Sequence, residues 1–84
     1  MVKSLLIANR GEIAIRIART AAEMGLRTVS VYSDDDAQSL YTRRTDEARA
    51  IGGNGASAYL DIAKVVATAK AAACDAIHHG YGFL

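Results

Sequence analysis

The chain has 84 residues, of which 51% are hydrophobic and 23% charged, and its formal net charge is +1. This length allows one domain, and the composition is that of a folded globular protein rather than a disordered one. No apolar run exceeds four residues, far short of the roughly twenty that a membrane-spanning helix needs. The balanced charge and the lack of Trp also disfavour nucleic acid as a partner. We therefore expect neither a membrane span nor nucleic-acid binding.

The first residues of the chain and its cysteine content bear on the cellular compartment. Cys74 is the single cysteine, which allows neither an internal disulfide nor a multi-cysteine zinc site, so a small buried apolar role is expected for it. Met1, Val2 and Lys3 lead directly into an apolar segment, which leaves no room for a signal or transit peptide. These features predict a cytoplasmic protein.

The first half of the chain predicts a strand, a helix and a second strand. Ser4–Ala8 is short and almost wholly apolar, which is typical of a strand covered on both faces. Apolar residues then recur with the helical period over residues 12–24, and Gly25 follows as a helix C-cap. Residues 28–32 are β-branched and aromatic, which indicates a strand. The predicted apolar stripe of the helix is Ile13, Ile17, Ala21 and Met24, widened by Ala14 and Ala18.

The second half predicts a short helix, a strand, a longer helix and a last strand. Ser33 and the three aspartates after it have N-cap chemistry for a short helix over residues 37–43, and residues 48–51 indicate a brief strand. A glycine-rich loop then precedes Asp61, which can cap the next helix, and residues 75–78 return as a strand. The apolar stripe of the longer helix is Ile62, Val65, Val66, Ala69 and Ala73.

This alternation predicts an α/β fold with an open, mainly parallel, doubly wound sheet, because parallel strands are joined by right-handed crossovers. In such sheets, ligands bind outside the carboxyl ends of the strands. Two loops would lie at that edge, one at residues 9–11 and one at residues 79–83. We therefore expect the binding site at this edge.

The turn after the first strand consists of Asn9, Arg10, Gly11 and Glu12. Free backbone N–H groups and the helix dipole could hold an anion there. A dinucleotide fingerprint, however, requires three glycines in G-x-G-x-x-G spacing, and only Gly11 is present. Residue chemistry alone favours a tight turn in which Asn9 bonds to backbone and Glu12 complements the helix N-terminus.

Other polar residues near this edge have ordinary structural explanations. Asp34 lies where a dinucleotide-binding fold places its ribose carboxylate, but three aspartates before a helix are more often capping and solvated. His78 and His79 are adjacent on a strand, so they point to opposite faces and cannot easily share one ion. No metal site is predicted.

Tyr81 lies between Gly80 and Gly82. The flat ring and the closely approachable backbone suit a planar ring or an amide edge. A tyrosine that packs in the core is an equally good explanation of this spacing.

Four charges lie together on the first helix, opposite its apolar stripe: Glu12, Arg16, Arg19 and Glu23. Such a face is normally solvated and joined by weak ion pairs. Ile15, however, projects about 40° from Arg19 on a helical wheel, which leaves a large apolar side chain beside the charges. An interface containing Arg16, Arg19 and Glu23 is therefore a second interpretation.

Five segments of the chain are distinctive: LLIANRGEIAIRIARTAAEMG, TVSVYSDDD, DEARAIG, YLDIAKV and DAIHHGYGFL. Together they resemble the N-terminal domain of biotin carboxylase. The resemblance covers nearly the whole chain, and ANRGEIA and GYGFL in this order and separation are far more specific than either segment alone. One departure is His79, which stands where the family usually has a proline that would restrict φ before the glycine.

The resemblance implies that residues 1–84 are an incomplete pre-ATP-grasp domain, without the lid and core segments of an ATP-grasp ligase. Such a ligase uses MgATP and bicarbonate to form carboxyphosphate, which supplies CO2 to the N1 atom of biotin. Most contacts to MgATP and all catalytic residues would then lie in the absent segments, so the 84 residues alone are expected to be inactive. The implied partners are the rest of the biotin carboxylase chain, a biotin carboxyl carrier domain and a carboxyltransferase, in a homodimer or a larger assembly.

The resemblance also assigns residues. The biotin-side wall would be carried by Tyr81 and Gly82, with Gly80 and His78 beside them, and dimer contacts match Arg16, Arg19 and Glu23. Residues 9–12 match the family's first turn. Two alternatives remain: the leading domain of another ATP-grasp ligase, which GYGFL disfavours, and a non-catalytic α/β nucleotide-binding module, which leaves the paired motifs unexplained.

Overall fold

The structure, a computed structural model, describes residues 1–79. Four parallel strands form one sheet in the order β3-β2-β1-β4. The elements are β1 (Ser4–Ala8), α1 (Gly11–Glu23), β2 (Arg27–Tyr32), β3 (Glu47–Ala50), α2 (Ile62–Ala71) and β4 (Ala76–His79). The predicted doubly wound parallel α/β fold is confirmed, and the strands begin and end within one residue of the predicted bounds.

The central strand β1 is covered on both faces, which explains its continuous apolar sequence. Leu6 is fully buried and packs with Val65 and its neighbours in the core on the α2 side of the sheet. Ile7 points to the other face, where it packs with Ala14 of α1 and with Tyr41. Two separate cores, one on each face, therefore hold the two helices on opposite sides of one sheet.

Helix α1 ends in the glycine cap that the sequence predicts. Gly25 has φ +77°, a left-handed conformation that glycine adopts without a steric penalty. The amide of Gly25 donates to the Ala22 carbonyl, and the amide of Leu26 donates to the Ala21 carbonyl, both at 3.0 Å. This is the Schellman arrangement, which turns the chain directly into β2.

Small side chains make the contact between α1 and the sheet. Ala14, Ala18 and Ala21 are buried, whereas Ile13 is 50% exposed and Met24 is 69% exposed. The predicted apolar stripe faces the sheet, as expected. Its large members, however, lie at the edge of the contact between helix and sheet, and its alanines lie at the centre of that contact. Alanine side chains allow the helix axis to approach the sheet closely, and the larger Ile13 and Met24 line a groove at the margin of this contact.

The segment after β2 differs from the prediction of a helix over residues 37–43. It forms two short 3₁₀ turns, Asp34–Asp36 and Leu40–Arg43. The carboxylate of Asp36 accepts a hydrogen bond from Ser39 Oγ at 3.1 Å, and Tyr41 turns into the core, where its hydroxyl donates to the Val31 carbonyl at 3.0 Å. These contacts compete with a continuous helix, because they direct both side chains towards the sheet.

Helix α2 begins at the predicted cap, since the carboxylate of Asp61 accepts a hydrogen bond from the Lys64 amide at 3.1 Å. Its buried face is made by Val65 and Ala69, whereas Ile62 is 62% exposed, so the predicted stripe is only partly buried. A 3₁₀ turn that the pattern did not predict precedes the helix and buries Tyr59. Within residues 1–79, no helix has the length and hydrophobicity needed to cross a membrane.

Candidate functional site

The carboxyl edge of the sheet brings the turn after β1 beside the end of β4. Ala8 and His79 are partners in the β1–β4 register, so the residues that follow β1 lie next to the last residues of β4. Asn9 is 1% exposed, and its Oδ1 lies 3.1 Å from Nδ1 of His78. The pattern did not predict this contact between the two side chains. It joins a residue of the predicted turn to a residue of the predicted biotin side.

The other residues assigned to the biotin side are Gly80, Tyr81 and Gly82. These three residues lie outside the described part of the chain. The side chain of His79 is not described either, so its predicted orientation stays a prediction. The assignments made from the resemblance stay predictions for these positions.

Arg10 reaches across the carboxyl edge to Asp36. Its Nε donates to Oδ2 of Asp36 at 2.6 Å, and its Nη2 donates to Oδ1 at 3.0 Å. This bidentate contact is the strongest common geometry between a guanidinium and a carboxylate. Asp36 is only 8% exposed, so the prediction of three solvated aspartates is wrong at this position. The reason is that Arg10, 26 residues earlier in the chain, supplies the compensating charge.

Two buried tyrosines complete this group. The hydroxyl of Tyr59 donates to Oδ2 of Asp36 at 2.5 Å and lies 2.6 Å from the hydroxyl of Tyr41. The Ser33 amide donates to the Tyr59 hydroxyl at 3.0 Å. The guanidinium carbon of Arg10 is 5.3 Å from the centre of the Tyr59 ring, within the range of a cation–π contact. We call Arg10, Asp36, Tyr41 and Tyr59 the carboxyl-edge cluster.

The electrostatics of the cluster follow from these contacts. Hydrogen bonding from Arg10 lowers the pKa of Asp36 from 3.8 to about 2, and the same contact raises the pKa of Arg10. Burial raises the pKa of both Tyr41 and Tyr59 above the ordinary value of 10. At neutral pH the cluster is therefore a closed ion pair with two neutral phenols.

The three consecutive aspartates have three different environments. Asp34 is exposed, whereas both carboxylate oxygens of Asp35 lie 3.1 Å from the amide of Gly55 and accept its hydrogen bond. A hydrogen bond from Ser33, followed by that from Gly55, lowers the pKa of Asp35. Asp35 thus holds the glycine-rich loop at the edge, while Asp36 holds Arg10.

The residues of the carboxyl-edge cluster can position chain segments. The carboxylate and phenols of the cluster are hydrogen-bonded to one another, so they hold chain segments together and none is placed to act as a base. The turn that they support carries Gly11 and Glu12, which are exposed at the start of α1. The first backbone N–H groups of a helix have no partners within the helix. A supported, exposed turn of this kind can present those donors to a ligand.

The charged residues predicted on α1 lie together on an exposed face. Arg16, Arg19, Glu12 and Glu23 are exposed, and none of them forms an ion pair within residues 1–79. Half-buried Ile15 lies beside them, as predicted. A hollow of about 200 Å³ is lined by Ile15, Ala18, Arg19, Ala22 and Arg44.

An apolar groove runs along the other side of α1 and reaches His78 of β4. Its volume is about 560 Å³, and its lining includes Leu5, Ile13, Ile17, Met24, Leu26 and His78. His78 therefore lies at the junction of the groove and the carboxyl edge.

The described residues contain no group of three or more His, Cys, Asp or Glu side chains arranged to hold a metal ion. Cys74 is half-buried against the core on the α2 side, and burial raises the pKa of its thiol. This position agrees with the apolar role that the sequence predicts for it.

Sequence reasoning missed Asp36, Tyr41 and Tyr59. A tyrosine buried in a core usually needs a partner for its hydroxyl, and this preference was the only available signal. The four residues of the carboxyl-edge cluster are spread over residues 10–59, follow no common period and lie on different elements. Only the tertiary structure brings them together.

Comparison with known proteins agrees with this architecture. Residues 1–84 match the family described as biotin carboxylase, N-terminal domain. The chain is 51% identical over 85 aligned residues to Biotin carboxylase 1 of Bacillus subtilis, with 100% of this chain and 19% of that protein covered. It is also 51% identical to pyruvate carboxylase of Staphylococcus aureus, of which it covers 7%. The chain thus spans less than one fifth of the length of these relatives.

Solved structures give the same result. A single-chain, multi-domain long-chain acyl-CoA carboxylase superposes with a TM-score of 0.92 at 54% identity, with 100% of this chain and 8% of that chain covered. Biotin carboxylase from Campylobacter jejuni superposes with a TM-score of 0.92 at 47% identity, with 100% and 19% covered. Because the family match extends over every residue and the fold agrees with it, the chain belongs to the biotin carboxylase N-terminal domain family.

Proposed function

We propose that this chain is the N-terminal part of an ATP-dependent ligase that carboxylates biotin. The observation that carries the proposal is the family match over residues 1–84, together with 51% identity to a protein named biotin carboxylase. In the proposed reaction, bicarbonate attacks the γ-phosphate of MgATP to give carboxyphosphate and ADP. Carboxyphosphate then releases phosphate and CO2, and the N1 atom of biotin takes up the CO2 as it loses its proton.

The proposed role of this domain is to form one side of the biotin site. Tyr81, Gly82, Gly80 and His78 are assigned to that side by resemblance, and the contact between Asn9 and His78 supports the assignment because it ties the end of β4 to the β1–α1 turn. MgATP would be held mostly by segments beyond these 84 residues. The carboxyl-edge cluster holds the β1–α1 turn of this edge through Arg10.

Relatives with different acyl acceptors match this chain about equally well. Pyruvate carboxylase of Staphylococcus aureus is 51% identical, and the propionyl-CoA carboxylase alpha chain of Ruegeria pomeroyi is 49% identical. We infer that another part of the protein, a carboxyltransferase, selects the acceptor, and that a biotin carboxyl carrier domain connects the two active sites. We also propose that Arg16, Arg19 and Glu23 contribute to self-association.

The experiment that tests the proposed function is a coupled assay of ADP release by the full-length protein at saturating bicarbonate, with and without free biotin. We expect ADP release to depend on biotin. Equal ADP release without biotin would reject the proposal in favour of another ATP-grasp ligase. Tight binding of a nucleotide by residues 1–84 alone, without turnover in the full-length protein, would favour the non-catalytic module.

A second experiment tests the assignment of Tyr81. Replacement of Tyr81 by Ala is expected to raise the KM for free biotin by about tenfold and to leave the KM for ATP unchanged, because binding surface for one substrate is lost. The matched control is Tyr81→Phe, which keeps the ring and should retain most of the affinity. Equal changes in both KM values would indicate a folding defect instead.

A further inference from the structure

The side chain of Arg10 restrains the β1–α1 turn at the start of the helix. The residue at the N-cap position of α1 is Arg10, and no side chain caps the helix there. Gly11 has φ +59° and has space around it, since no atom lies within 4 Å of the position a Cβ would occupy. A side-chain cap at the N-cap position and close packing around Gly11, which often restrain a helix start, are therefore lacking here. The bidentate contact between Arg10 and Asp36 takes their place.

Asp36 is itself held from several directions. Tyr59 donates to its Oδ2 at 2.5 Å, and Ser39 donates to its Oδ1 at 3.1 Å. Tyr59 is fixed in turn by Tyr41 and by the backbone of Ser33. The carboxylate is thus a fixed anchor on the segment after β2, and a mobile anchor could not define the position of Arg10.

The restraint continues from Arg10 to β4. Asn9 is the residue directly before Arg10, and its buried side chain contacts His78 at 3.1 Å. The backbone between Asn9 and Arg10 is one peptide unit, so a displacement of Arg10 moves Asn9 as well. A continuous series of contacts therefore runs along the carboxyl edge from Asp36 through Arg10 and Asn9 to His78.

We infer that Asp36 is a positioning residue, which holds the β1–α1 turn through Arg10 and thereby keeps Asn9 in contact with His78 on the side of the site proposed to receive biotin. The inference rests on the proposed function for its consequence in catalysis. Its structural part, the coupling between Asp36 and His78, stands without it.

The coupling is tested by hydrogen–deuterium exchange in the full-length protein with Asp36→Asn. This change removes the negative charge opposite Arg10 with almost no change in volume. We expect amide exchange to rise about fivefold or more in peptides from the β1–α1 turn and also in peptides that contain His78. Tyr59→Phe removes one hydrogen bond to Asp36 and should give a smaller change in the same two regions, so the test remains available if Asp36→Asn folds poorly.

The matched control is Asp46→Asn. Asp46 also accepts two hydrogen bonds from another element, from the amide of Thr28 at 2.8 Å and from its hydroxyl at 3.2 Å, but near the amino end of β2. This variant should increase exchange only around its own contacts and should leave the KM for biotin unchanged. Faster exchange near His78 in the control to the same degree as in Asp36→Asn would overturn the inference.

The catalytic consequence is tested by a double-mutant cycle with Asn9→Ala. We expect Asp36→Asn to raise the KM for biotin about tenfold with the KM for ATP within about twofold, because a misplaced wall affects one substrate. If Asp36 acts through Asn9, its effect should nearly disappear in the Asn9→Ala background. Additive effects of the two changes would overturn the inference.

The outcomes separate this inference from the proposed function. A wild-type protein without biotin-dependent ADP release would reject the proposed function, while the exchange data would still decide the coupling between Asp36 and His78. A wild-type protein with biotin-dependent turnover and unchanged exchange near His78 in Asp36→Asn would reject the inference alone.

Discussion

Asp36 shows how burial and a distant partner change the chemistry of a common residue. Its pKa is lowered to about 2 by the hydrogen bonds from Arg10, whereas the unfolded value is 3.8. A depressed pKa stabilises the fold at pH values above the unfolded value, and this stabilisation disappears as the pH falls through the folded value. The ionised carboxylate therefore contributes to stability above about pH 4, and the contribution declines between about pH 4 and pH 2.

The pH dependence gives a prediction for Asp36→Asn. We expect this variant to be less stable than wild type by about 2 kcal/mol at pH 6, and we expect the difference to shrink as the pH falls below about 4. The measurement is thermal unfolding of both proteins across this range. The exposed neighbour Asp34 provides the control, since Asp34→Asn should change stability by less than about 0.5 kcal/mol at every pH. A difference between Asp36→Asn and wild type that stays constant down to pH 3 would contradict the prediction.

Ala73 adopts a backbone conformation that suits glycine. Its φ is +57°, and a left-handed conformation costs a residue with a Cβ about 1–2 kcal/mol. Glycine loses more chain entropy on folding, which offsets part of this cost. We expect Ala73→Gly to stabilise the protein by about 0.5–1 kcal/mol in urea unfolding. The matched control is Ala67→Gly in the exposed middle of α2, which should destabilise it by a similar amount.

At the scale of elements, α1 has three different sides. Its alanines approach the sheet, its large apolar residues line the groove beside β4, and its charged residues are exposed without intramolecular ion pairs in the described part of the chain. Periodicity predicts that the apolar and charged sides are opposite. It does not predict how close the helix lies to the sheet, because that distance depends on which side chains fit between them.

The charged face of α1 gives a prediction on self-association. Replacement of Arg16 and Arg19 by Glu would place like charges beside Glu12 and Glu23. We therefore expect the full-length variant to dissociate at a higher protein concentration than wild type. Sedimentation velocity over a range of concentrations measures this. The control reverses Lys64 and Lys70, which are exposed on α2 and give the same change in net charge. Equal weakening by both pairs would indicate a general effect of net charge and not an interface on α1.

The segment between β2 and β3 shows where element prediction fails. Its polar residues predict a capped helix, yet Asp36 and Tyr41 make tertiary contacts that divide it into two 3₁₀ turns. An aspartate at this position could cap its own helix, or it could bond with Arg10 as Asp36 does. Which of the two occurs depends on where the fold places Arg10. Local sequence contains no information on that position.

At the scale of the whole molecule, the chain spans only a small part of the length of the relatives it matches. It covers 19% of Biotin carboxylase 1 of Bacillus subtilis and 7% of pyruvate carboxylase of Staphylococcus aureus. We propose that the contacts to MgATP lie outside residues 1–84. We therefore expect residues 1–84 alone to release no ADP above background, with or without biotin, in the assay in which the full-length protein is active. Biotin-dependent turnover by the 84 residues would contradict this division of roles.

The sequence by itself determined the α/β class, the parallel strands, both main helices, the caps at Gly25 and Asp61, and the family. These features depend on local patterns: hydrophobic period, glycine conformation, capping chemistry and continuous motifs. Only the tertiary structure decided the carboxyl-edge cluster, the contact between Asn9 and His78, and which members of each apolar stripe are buried against the sheet. The physical reason is that a buried charge or phenol is stabilised by whichever partner the fold brings within hydrogen-bonding distance, and Arg10, Asp36 and Tyr59 become neighbours only when the sheet has formed.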